Sequence, residues 1–143
     1  VVLTTTNGTR AMHLAQERAQ QVIIGSFLNL TAVCEYLKSQ NQDVLLLCAG
    51  WKGNFNLEDT LFAGAVVEQL QNDFTFADDS SVAALDMYQL AKGDLRGYLK
   101  KSSHSARLIK LNIEEDVKFC LKLDICKCIP VLIEEKITQL TVV

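Results

Sequence analysis

The sequence predicts an α/β protein: a three-layer α/β/α arrangement with a mostly parallel sheet and a C-terminal β-hairpin. Three observations lead there. Short β-branched or aliphatic runs alternate with stretches of helical periodicity from the first residue to about residue 70. The run 44–49 is apolar throughout, as a strand covered on both faces should be. Residues 129–133 and 137–142 flank Glu134-Glu135-Lys136 and read as a terminal hairpin.

Taken in order, residues 1–5 read as a strand that runs through Thr6-Asn7-Gly8-Thr9 into a helix over 10–19. There Ala11, Leu14, Ala15 and Arg18 share one face. Residues 21–25 form a second strand around Val22-Ile23-Ile24. Asn29 suits the N-cap of the next helix, where Leu30, Val33, Cys34 and Leu37 recur at helical spacing. Residues 43–49 form the third strand and 50–57 a loop. A helix over 58–70 repeats Leu61, Phe62, Ala65, Val66 and Leu70. Gly64 inside it costs about 1 kcal/mol relative to Ala, which points to close packing against a neighbour. A helix over 79–90 opens at Asp78-Asp79-Ser80. Short helices over 95–101 and 106–111 surround Ser102-Ser103-His104-Ser105. Pro130 puts its strand at an edge, or itself at the strand's start. Right-handed crossovers then send ligands to the carboxyl ends of the strands: residues 4–9, 25–29 and 48–53.

Composition bounds the function. With 143 residues, 49% hydrophobic and 22% charged, the chain suits a single domain over 1–143 with its own core. A net charge of −3 without a long basic cluster argues against a nucleic-acid partner. No apolar run reaches membrane length, which argues against a membrane partner. The cysteines are Cys34, Cys48, Cys120, Cys126 and Cys128. Their odd number and largely apolar surroundings read as buried, reduced thiols in a cytoplasmic protein. The pattern starts at residue 1 without Met, as in the later part of a longer chain.

Four places could carry chemistry. Thr5, Thr6, Asn7, Gly8, Thr9 and Arg10 offer hydroxyls, an amide, a glycine and a guanidinium at a helix start, an anion cradle. The alternative is a plain capped turn with Thr6 or Thr9 as N-cap. Lys52, Lys100, Lys101, His104 and Arg107 are the other cations available to an anion. Cys48, at the end of the third strand, lacks the base a nucleophile needs and reads as a buried thiol. Glu58 and Asp59 could grip one hard cation, or they could serve the helix start, where Asn56-x-x-Asp59 resembles a capping box. His104, beside Ser103 and near Arg107, could act as acid or base or hold an anion; His13 reads as a surface residue. No Gly-x-Ser-x-Gly elbow is present.

These blocks, in this order, closely resemble the C-terminal half to two-thirds of the 2-phosphosulfolactate phosphatase family. The resemblance rests on Val2-Leu3-Thr4-Thr5-Thr6-Asn7-Gly8-Thr9-Arg10-Ala11, Ile24-Gly25-Ser26-Phe27-Leu28-Asn29, Cys48-Ala49-Gly50 and Leu57-Glu58-Asp59-Thr60-Leu61-Phe62-Ala63-Gly64. It continues through Ser102-Ser103-His104 and Asp116-Val117-x-Phe119-Cys120 to Pro130-Val131-Leu132. It implies a three-layer α/β fold and a magnesium-dependent phosphatase acting on 2-phospho-3-sulfolactate, on the way to coenzyme M, or on another phosphorylated 2-hydroxy acid. Thr5, Thr6, Asn7, Gly8, Thr9 and Arg10 would hold the phosphate, and Glu58 and Asp59 the Mg2+. His104 with Ser103 would bind the second anionic group or protonate the leaving alkoxide. Family blocks of the Ile-Asp-Val-Leu-Arg-Ala-Thr and Gly-Glu-Arg kinds are absent here. The resemblance therefore implies a further partner, the N-terminal part of the same protein, besides the small anionic substrate and a possible homo-oligomer. The rival readings are a non-catalytic anion-binding fragment and an interaction domain.

Overall fold

The longest unbroken apolar periodicity, residues 57–70, becomes the axis of the molecule. A computed structural model describes residues 5, 7–102 and 114–140. In chain order they form α1 (Gly8–Gln16), β1 (Val22–Ile23), a 3₁₀ turn (Phe27–Asn29), α2 (Leu30–Gln40), α3 (Leu57–Leu70), α4 (Asp79–Ala91), α5 (Leu95–Leu99), α6 (Glu114–Cys120), β2 (Pro130–Ile133) and β3 (Lys136–Gln139).

Helix α3 buries Leu61, Ala63, Ala65, Val66, Val67 and Leu70. Burial on more than one face requires cover on more than one side. On one side α4 supplies Ala84, Leu85, Tyr88 and Ala91; on another α2 and the turn before it supply Leu30, Cys34 and Phe27. Gly64 lets α4 come this close. A Cβ there would run into the Ala84 carbonyl and lie 2.7 Å from Tyr88 Cβ, so the packing that its position implied is present. Phe27 meets Phe62 edge-on, with ring centroids 5.5 Å apart.

The helix ends are closed by side chains. The Asp78 carboxylate accepts from the N–H groups of Ser80 and Ser81, and Asn56 accepts from Glu58 N–H. Asp124 does this at long range. Its Oδ1 accepts from Thr31 N–H at 2.7 Å and its Oδ2 from the Thr31 hydroxyl at 2.8 Å, capping α2 from 93 residues away. Asn29 is therefore not the side-chain cap that the sequence suggested. It is buried; its Oδ1 accepts from Ser26 N–H, and its Nδ2 donates to the carbonyls of Ile24 and Cys128. It fastens the turn before α2 to the approach of β2.

The sheet corrects the expected topology. Among the described residues it has three strands in the order β1-β2-β3, antiparallel throughout, not a mostly parallel sheet. Val22 pairs with Leu132 and Ile23 with Val131, and Ile24 N–H donates to the Pro130 carbonyl. The crossover rule applies to strands joined through one helix. The strand paired with β1 instead arrives from the far end of the chain, where no short crossover sets its direction.

The C-terminal hairpin is present. Pro130 starts β2, as its missing N–H demands, and the turn is Glu134-Glu135. Both turn residues have positive φ, 44° and 64°, the geometry of a two-residue hairpin turn.

Residues 43–49 form no strand among the described residues, and the expected burial on both faces is not found. Leu46 packs against the helical core, whereas Leu45 and Leu47 point outward, 85% and 49% exposed. The cysteines also differ from expectation. Cys34 is buried, Cys128 intermediate, and Cys48, Cys120 and Cys126 exposed. Apolar neighbours in sequence do not bury a thiol whose segment lies at the surface. Helix α6 was not anticipated. The expected strand over 1–5 (Thr5 apart) and the helix over 106–111 lie outside the described residues. No described helix is long and apolar enough to cross a membrane.

Candidate functional site

The cradle begins with a reciprocal pair. Thr5 N–H donates to Thr9 Oγ1 at 3.1 Å, and Thr9 N–H donates to Thr5 Oγ1 at 3.2 Å. The two hydroxyls thus serve the start of α1, but its N-cap residue is Asn7, not the Thr9 of the plain-cap alternative. Asn7, the N-cap residue, sends no side-chain bond to its own helix. Its Oδ1 instead accepts from Lys52 N–H at 3.2 Å. Arg10 stands exposed on the first turn.

Lys52 belongs to a tight reversal. Trp51 and Asn54 exchange both backbone hydrogen bonds at 3.0 Å, with Lys52 and Gly53 between them at φ 52° and 78°. Gly53 is suited to that conformation, and Lys52 is one of the few non-glycine residues held in it. Gly50 has φ 67°, and a Cβ there would lie 2.6 Å from the Asn54 carbonyl oxygen, so glycine is required.

The same loop reaches α3. Gly50 N–H donates to Asp59 Oδ2 at 2.7 Å, a charge-assisted bond. The capping box suggested by Asn56-x-x-Asp59 is therefore not formed through Asp59. Its carboxylate crosses to Gly50, while Asn56 caps through Glu58 N–H and its carbonyl accepts from the Thr60 hydroxyl. One loop thus has the start of α1 on one flank and the start of α3 on the other. Two clusters some fifty residues apart in sequence become neighbours.

Cys48 stands just before this loop. The residue is exposed as a whole, yet nearby protein atoms desolvate its sulfur and push the thiol up from its ordinary range; the Asp59 carboxylate adds to the rise, against a hydrogen bond from Thr60. A thiol shifted upward is a poor nucleophile at neutral pH. Burial pushes Cys34 further, to about 12.

Glu58 and Asp59 are both half-buried on the first turn of α3. No group of three or more metal-ligating side chains occurs among the described residues. A magnesium ion commonly takes one or two carboxylates plus water and phosphate oxygens. The pair suits that donor set, with Asp59 Oδ1 the oxygen left beside the Gly50 bond. The positive end of α3 opposes a cation there, so a phosphate's charge is needed as well. Thr6, Ser103 and His104 lie outside the described residues, as does Arg107. Sequence reasoning missed Asp124 altogether and, for Asn29, the remote partner Cys128. The glycines flanking Trp51-Lys52 were the visible signal for the bridging loop.

Fold and site together define a chain of mixed helix and antiparallel strand in which two polar helix starts share one glycine-bounded loop. The chain belongs to the 2-phosphosulfolactate phosphatase family, whose model, described as 2-phosphosulpholactate phosphatase, matches residues 1–135. A probable 2-phosphosulfolactate phosphatase of Thermotoga petrophila is 46% identical over 134 residues, covering 93% of this chain and 56% of the relative. Proteins of the same description from Caldanaerobacter subterraneus and from Synechocystis are each 39% identical. They are matched over 92% and 90% of this chain and 55% and 54% of their own lengths. The chain spans little more than half the length of these curated relatives.

Proposed function

We propose that the chain is the part of a magnesium-dependent phosphomonoesterase that holds the phosphate of a small 2-hydroxy-acid ester such as 2-phosphosulfolactate. The observation that carries this is the loop joining Asn7 to Lys52 and Gly50 to Asp59, which sets an anion-suited helix start beside a carboxylate pair.

The positive end of α1 and the Arg10 guanidinium favour negative charge, with the Thr9 N–H already given to Thr5 Oγ1. Thr5 and Thr9 keep that turn in shape through their reciprocal bonds. Asn7 holds the loop through its Oδ1. Thr6 and Gly8 would complete the phosphate-binding set. Glu58 and Asp59 would hold the metal, and Asp59 also orients the loop through Gly50. A bound magnesium ion supplies charge neutralisation on phosphoryl oxygens and a more acidic water. Ser103 and His104 would take the second anionic group or give a proton to the leaving alkoxide. A 2-phosphosulfolactate substrate points toward coenzyme M synthesis, and the reduced cysteines suit a cytoplasmic setting.

The test is release of phosphate from 2-phosphosulfolactate with and without magnesium. It is run on this chain and on this chain joined to the stretch of the Thermotoga petrophila relative outside the match. Magnesium-dependent turnover in either, with Asp59→Asn and Glu58→Gln raising the magnesium requirement at least tenfold, is the expected result. Wild-type behaviour of both variants removes the metal role. A second reading follows from the 56% coverage of the relative: the chain alone binds phosphate without turning it over. Calorimetric phosphate binding, lost in Arg10→Ala, combined with no turnover by the 143-residue chain, would select it.

A further inference from the structure

Cys126 and Cys128 lie on a seam that joins a late stretch of the chain to the turn before α2. Asp124 N–H donates to the Phe27 carbonyl at 3.0 Å, and Cys126 N–H donates to the Leu28 carbonyl at 2.9 Å. The Cys128 carbonyl accepts from Asn29 Nδ2 at 2.9 Å, and the Asp124 carboxylate caps α2 through Thr31. The two cysteines thus each hold one rung of this seam. They also approach each other. Cys128 N–H donates to Cys126 Sγ at 3.2 Å. A Cβ lies about 2.5 Å from its own backbone nitrogen. The Cys126 sulfur therefore stands beside the Cys128 side chain, where side-chain rotation can bring the sulfurs together. Both are free thiols; Cys126 is exposed and Cys128 half-buried.

We infer that Cys126 and Cys128 form an oxidative modification site, a dithiol that hydrogen peroxide converts to a disulfide. The exposed Cys126 sulfur attacks a peroxide oxygen; the O–O bond breaks, one water leaves, and a sulfenic acid remains. The half-buried Cys128 sulfur then attacks the Cys126 sulfur. The S–S bond forms, the S–O bond breaks, and the released hydroxyl takes the Cys128 proton away as a second water. The thiols lose two electrons and the peroxide gains them; a small dithiol returns them by exchange. The order of events follows exposure, since the accessible sulfur meets the oxidant and its neighbour resolves it. The position of the pair gives the bond a structural effect. The disulfide closes a tight ring through Lys127 and takes the Cys126 sulfur from the Cys128 N–H. Ring closure reorients the backbone at both cysteines, and with it the Cys126 N–H and the Cys128 carbonyl that hold Leu28 and Asn29. Oxidation loosens the seam, and reduction restores it. This chemistry needs no phosphatase activity.

The experiment treats the folded 143-residue chain with hydrogen peroxide and maps its sulfurs by tryptic digestion and mass spectrometry. Cleavage after Lys122, Lys127 and Lys136 puts the two cysteines on different peptides. A bond between them keeps those peptides joined until dithiothreitol is added. The joined peptides should be the first oxidation product, and they should form faster in the folded chain than in urea. Cys126→Ser and Cys128→Ser should each abolish them, and Cys120→Ser should not. Hydrogen exchange at the Asp124 and Cys126 amides should rise roughly tenfold on oxidation and return with dithiothreitol. Sulfinic acid at Cys126 without joined peptides overturns the inference. So does a first bond that involves Cys48 or Cys120, or one that links two chains. An equal rate in urea overturns it too, since the fold then does nothing to bring the sulfurs together. Exchange unmoved by oxidation overturns the loosened seam. Where Cys128→Ser does not fold, the variant at the exposed Cys126 decides by itself.

Discussion

The α3 helix and the segment 44–49 are both apolar on more than one face, and the molecule treats them differently. Around α3 every apolar face meets a neighbour: α4 presses against Gly64, and α2 and the Phe27 turn close another side. Along 44–49 one face reaches the core through Leu46, while Leu45 and Leu47 look outward. The comparison separates two statements that composition merges. An apolar run states a demand for cover; only the partners brought to it decide whether that demand is met.

The comparison can be broken most severely inside α3. Leu61 is fully buried, and Leu61→Ala should cost about 3 kcal/mol through lost burial and a cavity. Gly64→Ala should cost a similar amount, since its methyl meets the Ala84 carbonyl rather than a flexible side chain. In urea denaturation of the chain by itself, Leu45→Ser and Leu47→Ser should each change stability by less than about 0.5 kcal/mol. If the serine variants cost as much as Leu61→Ala, the outward face is covered and the contrast fails.

Asn29→Ala comes next, at about 2 kcal/mol. It leaves the carbonyls of Ile24 and Cys128 and the Ser26 N–H without their partner. A loss well under 1 kcal/mol would mean that the turn before α2 does not depend on this clasp.

A third test uses pH. The Cys34 thiol is raised by burial from 9.0 to about 12, so the unfolded chain loses this proton first. Its contribution to stability is complete below pH 9 and is lost as pH climbs toward 12. Melting temperature should fall across that window, and less steeply in Cys34→Ala. Alkylation at pH 8 should reach the exposed Cys48, Cys120 and Cys126 well before Cys34.

The smallest effect lies in the hairpin. Glu135 sits at φ 64°, and Glu135→Gly should raise stability by about 1 kcal/mol by relieving the left-handed conformation. Unchanged stability would show that the turn holds Glu135 there without cost.

Much of this was legible in the residues. The span of α3 differs from expectation only at Leu57 and that of α4 only at Ala91, because capping residues and apolar spacing mark local hydrogen-bonded structure. The hairpin announced itself through Pro130 and the polar break at Glu134-Glu135. The cradle and the carboxylate pair could be named as separate candidates from Thr5–Arg10 and Glu58-Asp59. Their joint placement could not, because it depends on Asn7 reaching Lys52 and Asp59 reaching Gly50. The capping-box reading of Asp59 failed for the same reason: a carboxylate near a helix start has several possible donors, and a remote amide took it.

By itself, then, the sequence determined the described helices up to α5, the closing hairpin, the need for a small residue at position 64 and the identity of the polar clusters. Each follows from interactions within a few residues, where spacing and side-chain chemistry act directly. Only the tertiary structure decided that the described sheet is antiparallel, that Asp124 caps α2, that Asn29 clasps Cys128, and that Leu45 and Leu47 face outward. Those outcomes depend on which distant segment supplies a hydrogen bond or an apolar cover, and a one-dimensional pattern carries demand without naming its supplier.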